Sequence, residues 1–481
     1  MTDTQGANCV GCYGDPRLQT PNLDRLAAEG LRLTQAYTTC PVCTPARSAI
    51  FTGCYPHTNG AMGNEIPLHA NIKTLGQRLR DSGIAAGYTG KWHLSGLDYF
   101  DTGICPDGWE AETWFDGRNH LDSLPGNLRS FSRSYQTTQS YNEAGFTVEH
   151  TFAHGVTERA ISFIARHQHE DFCLVVSYDE PHHPSMAPPP FSDLHHDYAL
   201  DTGAAKHDDL DGKPELQRRW AERVRHVNTR TKDGCYVQQA YFASNTFVDH
   251  EIGRVLTAIG TQAPEALVVY TSDHGEMMHA HQLHSKGPAM YHEITRIPFL
   301  VRWPGVIRPG TVRSEPFSQI DITPTILDFF GLTTPAYLEG RSRLPEWRGE
   351  RAADGQPIFL EFNRFSIASD EPDFTPIRCA FDGRYKLSLN LFDRDELYDL
   401  QSDPAENVNR IEDAALAAER DRLHQAIIEW MHRTRDPLRG SGWSARPWSA
   451  RPPVPTKARR YYPDDGYMPR PRNYMTAHQE E

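Results

Sequence analysis

No run of this 481-residue chain is apolar enough to span a bilayer. A membrane helix needs about 18 apolar residues in a row, whereas runs such as Ala266-Leu-Val-Val-Tyr270 have the length of core strands. Positive charge is scarce: 49 Lys and Arg against 63 Asp and Glu leave a formal net charge of −14. That balance excludes nucleic acid as a partner, because phosphate binding needs basic surface, although a small anion needs only a few local cations. The chain opens Met1-Thr-Asp-Thr-Gln5 without a basic leader or an apolar leader segment, and as given it reads as cytoplasmic. Nine cysteines, an odd number in a long chain, do not make a disulfide framework and point to buried free thiols in a reducing compartment. There is no internal repeat.

The composition is that of a globular protein, 38% hydrophobic and 23% charged, and the length exceeds one ordinary domain. Thr20-Pro21 reads as an N-cap and first helical residue, with Leu23, Leu26 and Ala27 as the buried stripe. Helices are expected over 72–81, 156–167 and 237–259, and strands over 85–89, 172–178, 266–270 and 297–303. This alternation predicts an α/β fold with a mostly parallel sheet flanked by helices. The expected catalytic unit runs over 1–350. A smaller α+β unit over 351–435 holds alternating strands and an amphipathic helix at 414–431. The stretch 436–481 is an extended Pro/Arg/aromatic tail carrying Trp443, Trp448, Tyr461, Tyr462 and Tyr467. Its aromatics suit packing on its own domain or on a second subunit.

Two cysteine pairs, Cys9-Val-Gly-Cys12 and Cys40-Pro-Val-Cys43, allow a zinc or redox reading. The segment Pro41-Val-Cys43-Thr-Pro45-Ala-Arg47-Ser-Ala-Ile-Phe-Thr52-Gly53 allows another. Pro45 suits a first helical turn and Gly53 a helix end, which puts Cys43 just before a helix N-terminus, where an anion is favoured. Arg47 lies one turn on. An activated cysteine beside an anion hole and a capped helix with a buried thiol fit these residues equally.

The same segment resembles the signature C-x-P-x-R-x-x-x-x-T-G of the type I, formylglycine-dependent sulfatases, in the alkaline phosphatase superfamily. The resemblance implies an alkaline-phosphatase-like fold and a sulfuric ester hydrolase. It implies that a maturation enzyme oxidises Cys43 to formylglycine, whose hydrated aldehyde attacks sulfur, with Arg47 stabilising it. Gly90-Lys91-Trp92-His93 is similar to the family's second signature, which gives Lys91 to the sulfate oxygens and His93 to the formylglycine hydroxyl; Ile84 and Ala86 depart from its opening. Asp179-Glu180-Pro181-His182-His183 resembles the segment that sets His182 over the leaving group, with His183 as a neighbour. Ser272-Asp273-His274-Gly275-Glu276 resembles the metal segment, and Lys286 stands where the family keeps a second sulfate-binding lysine.

By this resemblance the metal ligands are Asp3, Cys43, Asp273 and His274. The ion is expected to be Ca²⁺, with Mg²⁺ or Mn²⁺ as alternatives because a histidine widens the choice. Thr4 occupies the place of a usual second carboxylate or amide, and the strand that would deliver Asp3 is expected upstream of Met1. His279, His281 and His284 read as exposed loop histidines, with a second metal as the lesser alternative. Trp114-Phe-Asp116-Gly-Arg118-Asn119, Asn363-Arg364 and the tail tryptophans are candidates for recognising the leaving group. The expected substrate is a small sulfated molecule, a carbohydrate or aryl ester; a phosphonate monoester or phosphodiester hydrolase with the same nucleophile is the alternative.

Overall fold

The computed structural model describes residues 1–97, 100–132, 138–195, 198, 200–228, 235–367 and 374–449. Its α/β unit is organised around two parallel strands, Ala85–Gly90 and Phe172–Ser177, paired in register from Ala85↔Phe172 to Gly90↔Ser177. On the far side of Phe172–Ser177 runs the chain start. The Met1 ammonium donates to Val176 O at 2.7 Å, and Tyr178 N donates to Met1 O at 2.9 Å. Thr2 N donates in turn to Thr271 O at 3.2 Å, in a parallel bridge Thr2↔Ser272. The first residues therefore lie between Phe172–Ser177 and Val268–Thr271.

Further pairings are of both kinds. Val268–Thr271 runs antiparallel to Phe299–Arg302, which is antiparallel to Leu31–Leu33, which is parallel to Thr311–Arg313. The α/β expectation holds, with the sheets mixed. What positions the site is the parallel part: four segments running the same way end at Lys91, Asp179, Asp3 and Asp273, and the carboxyl ends of such strands are where open α/β sheets build sites.

Helices cover both faces. Phe152–His167, Cys235–Gln262 and Pro21–Ala28 bury Leu23, Leu26, Val156, Phe247 and Ile252 against Tyr270 and Leu300. On the other face Cys43–Thr52, Leu75–Asp81 and Ile322–Phe329 bury Ile50, Phe51, Leu75 and Ile322 with Tyr88 and Trp92. Thr20 does not cap its helix through its side chain. Asp249 does so instead, accepting from Asn22 N at 3.0 Å and Leu23 N at 2.9 Å, while Thr20 Oγ1 accepts from Gly11 N. A carboxylate brought from another helix satisfies the orphan N–H groups better than the local hydroxyl.

The C-terminal unit is an antiparallel sheet in the order Ile358–Phe362, Ile377–Phe381, Tyr385–Asn390, Glu396–Asp399, covered by Ala417–Arg433. Beyond it the chain folds back: Arg378 Nε donates to Asp436 Oδ2 at 2.6 Å, Arg446 Nε to Asp395 Oδ2 at 2.7 Å, and Trp443 is buried. Trp448 Nε1 donates to Asp395 Oδ2 at 2.8 Å. Tyr461, Tyr462 and Tyr467 lie outside the described residues. No helix among the described residues is long and apolar enough to cross a membrane. A cavity of about 540 Å³, lined by Met1, Val175, Val269, Ile326 and other apolar side chains, lies between Phe172–Ser177 and Val268–Thr271. It contains none of the charged groups described next.

Candidate active site

Val42 is extended (φ −146°, ψ 141°) and serves as the N-cap, so Cys43 is the first residue of helix Cys43–Thr52 rather than the residue before it. Gly53 ends the helix at φ 69°. Asn64 Oδ1 accepts from Thr44 N at 3.0 Å, which satisfies one orphan donor and fixes the turn that carries the thiol. Cys43 Sγ then faces three partners: Lys286 Nζ at 3.1 Å, His274 Nε2 at 3.2 Å and Asp3 Oδ1 at 3.7 Å. Burial and Asp3 push the thiol pKa up, but Lys286, Lys91 and His274 outweigh them and hold it well below the usual thiol range.

Two lysines arrive from opposite sides. Lys91 follows Gly90, whose φ of 107° suits glycine; a Cβ there would sit 1.9 Å from Ser177 O. Lys91 Nζ lies 2.8 Å from both Asp3 Oδ2 and Asp179 Oδ1. Burial would lower its pKa, but Asp179 and Asp3 raise it. Lys286 Nζ reaches Thr4 Oγ1 at 3.3 Å as well as Cys43.

Arg47 is fully buried and turned to the floor of the site. Its Nε donates to Asp273 Oδ2 at 2.9 Å, Nη2 to Asp3 Oδ2 at 3.3 Å, and Nη1 to Ser177 Oγ at 2.8 Å and Lys91 O at 2.7 Å. Those bonds make it a clamp on two carboxylates, whereas the sequence reading aimed it at the nucleophile. A fork of fixed donors suits that task.

Asp3, Cys43, Asp273 and His274, all buried, each offer a ligand atom within 4.8 Å of the others. Among the described residues no other set of three or more such groups does so. His274 Nδ1 lies 2.9 Å from Gly275 O, a contact that puts its proton there and turns Nε2 inward. Gly275 has no alternative, because a Cβ would lie 1.9 Å from Glu293 O. Burial and the facing Asp3 push the Asp273 carboxyl up, while Lys91, His182, Lys286 and Arg47 outweigh burial and hold Asp3 low. Two desolvated carboxylates facing one another with an inward imidazole fit a divalent cation, which removes that repulsion. Thr4, at φ 62°, donates from Oγ1 to Asp3 Oδ1 at 2.5 Å and from its backbone N to Asp273 Oδ1 at 3.1 Å. Gln5 turns away, donating to Asn245 Oδ1 at 2.5 Å.

His93, at φ 59°, is buried with Nδ1 unpartnered, and its carbonyl accepts from Thr44 Oγ1 at 2.9 Å. His182 Nδ1 lies 2.7 Å from His183 O, and its ring acts electrostatically on Asp3. Burial first, and then His284, His182 and Lys286, hold His183 down near 4 against the opposing pull of Glu276. The loop histidines are not exposed as expected but serve packing: His281 is buried, bonds Asp208 at 2.6 Å and stacks on Tyr291 at 3.8 Å, and the half-buried His279 stacks on His284 at 5.3 Å. They do not form a second metal set, nor do Cys9, Cys12, Cys40 and Cys43 form a zinc site. Burial raises the Cys9 and Cys12 thiols to about 12, which makes them inert. Asp116 and Asn119 form the capping box of helix Gly117–Ser123, so their polar groups are spent there.

Sequence reasoning missed Asp179, Ser177 and Asn64. Asp179 had a signal, since it stands one residue past the end of an apolar strand and its neighbour. Ser177 and Asn64 act through backbone and fork contacts that have no pattern in sequence.

Residues 1–332 match the family model described as Sulfatase, and residues 280–433 match one described as N-sulphoglucosamine sulphohydrolase, C-terminal. Uncharacterized sulfatase YidJ of Escherichia coli is 43% identical over 99% of this chain and 95% of its own. Two solved structures share the alkaline-phosphatase-like fold. One, of an enzyme with its substrate D-glucosamine-2-N,6-O-disulfate, aligns with a TM-score of 0.73 at 22% identity over 91% of this chain and 98% of the other. The second, phosphonate monoester hydrolase from Silicibacter pomeroyi, aligns with a TM-score of 0.73 at 22% identity over 91% and 95%.

Proposed function

The chain belongs to the sulfatase family and is a sulfuric ester hydrolase, and we propose that it removes sulfate from a sulfated carbohydrate through a formylglycine derived from Cys43. The observation that carries this reading is the environment of Cys43 Sγ: a helix N-terminus, Lys286 Nζ at 3.1 Å, and the four-ligand set that includes it. Once a maturation enzyme has oxidised Cys43, its hydrated aldehyde supplies the attacking hydroxyl. When bound by Asp3, Asp273, His274 and residue 43, a divalent cation, Ca²⁺ by its carboxylate set, supplies Lewis-acid charge neutralisation.

The chain's own groups do the rest. Lys91 and Lys286 neutralise the sulfate oxygens; against burial, Asp179 and Asp3 hold Lys91 cationic, and Cys43 and then Asp3 hold Lys286 so. Arg47 keeps Asp3 and Asp273 in register. As the S–O bond to the leaving oxygen breaks, His182 delivers a proton from Nε2, its Nδ1 being engaged with His183 O. Carbohydrate as the leaving group is supported by the sugar disulfate substrate of the structural neighbour.

Mass spectrometry of the Cys43 peptide after co-expression with a maturation enzyme, with kinetics on a panel of sulfated sugars, tests this. Formylglycine at position 43 and turnover of at least one sugar sulfate are expected; an intact thiol would sink the mechanism. Phosphonate monoester hydrolysis is the second reading, motivated by His274 among the ligands and by the phosphonate monoester hydrolase fold. Phosphodiesters and phosphonate monoesters run beside the sugar sulfates separate the two.

A further inference from the structure

The C-terminal sheet is joined to the active-site helix at one seam. Glu361 N donates to Thr39 O at 2.8 Å, so the strand Ile358–Phe362 ends beside the approach to Cys43. Past that strand, Asn64 N donates to Phe365 O at 2.9 Å and Ile367 N to Asn64 O at 3.3 Å, a parallel bridge between Asn64 and Ser366. Asn64 is the residue whose side chain accepts from Thr44 N at 3.0 Å, next to the nucleophile. One residue, Asn64, thus links the segment carrying Arg364 to the N-terminus of the catalytic helix.

Arg364 sits in that seam with its stem laid on Gly63; a Cβ at Gly63 would lie 2.7 Å from Arg364 Cγ. Its Nε is buried without a partner, and among the described residues no acid pairs with it. In a chain with 63 acids against 49 bases, a half-buried guanidinium with no carboxylate partner among the described residues is out of keeping. Two neighbouring groups are also unspent: Asn363 Oδ1 and Thr375 Oγ1 are buried without hydrogen-bond partners. Asn363 is tied down, since its Nδ2 donates to Glu361 Oε1 at 3.2 Å and its carbonyl accepts from Thr375 N at 2.9 Å. Asn363 Oδ1, Thr375 Oγ1 and Arg364 Nε, none of them with a partner among the described residues, make a recognition set.

We propose that Arg364, with Asn363 and Thr375 beside it, binds a second anionic group, carboxylate or sulfate, on the leaving sugar and makes the enzyme selective for doubly charged substrates. This rests on the carbohydrate sulfatase reading. Guanidinium matches the planar or forked geometry of either anion, and Asn363 Oδ1 accepts from an adjacent hydroxyl. Lys91 and Lys286 remain with the sulfate being cleaved. Arg364 acts on KM, because its contact is the same before and during S–O cleavage.

The test uses the matured enzyme with three sugar sulfates: a monosulfate, the same sugar with a second sulfate, and a sulfated uronate. 4-Nitrophenyl sulfate is the control without a second charge. Arg364→Ala should raise KM for the two dianionic sugars by about tenfold to a hundredfold. It should leave kcat within about twofold, and KM for the monosulfate and for 4-nitrophenyl sulfate should not change. Arg364→Lys should restore part of the loss. If only one dianionic arm responds, that arm identifies the anion. Equal losses on all substrates, or none, overturn the proposal. If Arg364→Ala does not fold, Arg364→Gln is read by the same KM comparison. An enzyme that cleaves no sulfated sugar refutes the carbohydrate reading instead, and does so in wild type.

Discussion

Lys286 Nζ lies 3.1 Å from Cys43 Sγ and 3.3 Å from Thr4 Oγ1, so a single ammonium touches both the thiol proposed as the nucleophile's precursor and the hydroxyl beside Asp3. Lys286 stands 243 residues from Cys43 in the chain, and the contact is made by a loop that follows Asp273 and His274. One residue therefore places positive charge on both the sulfur and the Asp3 side of the proposed site. Lys286→Ala should lower kcat/KM by about a hundredfold to a thousandfold, and Lys286→Arg should not restore it, because a guanidinium does not fit where a compact ammonium contacts both atoms. Steady-state kinetics on the best substrate of the panel reads both.

Cys43→Ala should abolish turnover, by at least about a thousandfold, while leaving the fold intact. The thiol is one of four atoms of the candidate metal set and packs no large volume, so circular dichroism and the melting temperature should stay close to wild type. Collapse of the fold on this substitution would show that the residue is structural.

Arg47→Ala should destabilise the protein by about 3–5 kcal/mol, since it leaves Asp3 and Asp273 buried without their shared cation. Denaturant unfolding measures this. A divalent ion added at high concentration should recover part of the loss, because it neutralises the same two carboxylates.

Removal of metal by chelation should lower the melting temperature and activity together, and Ca²⁺ or Mg²⁺ should restore both. Thr4→Asp should then tighten metal binding, because it adds a carboxylate beside Asp3 in place of a hydroxyl that donates to it. Titration of the metal-free protein, followed by calorimetry, reads the affinity; unchanged affinity would show that Thr4 does not face the ion.

His57 joins the two units through a short contact of Nδ1 with Glu361 and a 2.9 Å bond between Nε2 and Thr434 Oγ1. Burial lowers its pKa, but Glu361, and Asp436 after it, raise it above the ordinary histidine value. A raised folded-state pKa gives stability that is full below the unfolded value, about 6.5, and is lost as pH climbs through the folded one. Unfolding free energy should fall from neutral toward alkaline pH, and His57→Gln should flatten that slope. A slope unchanged by the substitution would remove His57 as its source.

The Cys43 segment, Lys91 and the Asp273-His274 pair could be placed from the chain because each stands at the end of an element with a clear pattern, whereas Lys286 lies in a loop, and the roles of all of them came from the resemblance to a known family. Helix punctuation by Pro45 and Gly53 and apolar runs before Lys91, Asp179 and Asp273 place those residues at strand or helix termini without any knowledge of packing. The α/β class follows from the same alternation. Which way a side chain points at such a terminus does not. Arg47 lies one turn past Cys43 and looks as if it should serve the nucleophile, yet its four hydrogen bonds go to Asp273, Asp3, Ser177 and Lys91, residues supplied by four other segments. Thr20 yields its capping role to Asp249 for the same reason: a partner 227 residues from Asn22 outcompetes a local hydroxyl once packing delivers it. Local chemistry, written in contiguous residues, determined the fold class, and resemblance to a known family supplied the list of candidate groups. Their division into nucleophile, clamp, ligand and cap was decided by tertiary structure, because desolvation and fixed distances between distant segments set which charge meets which.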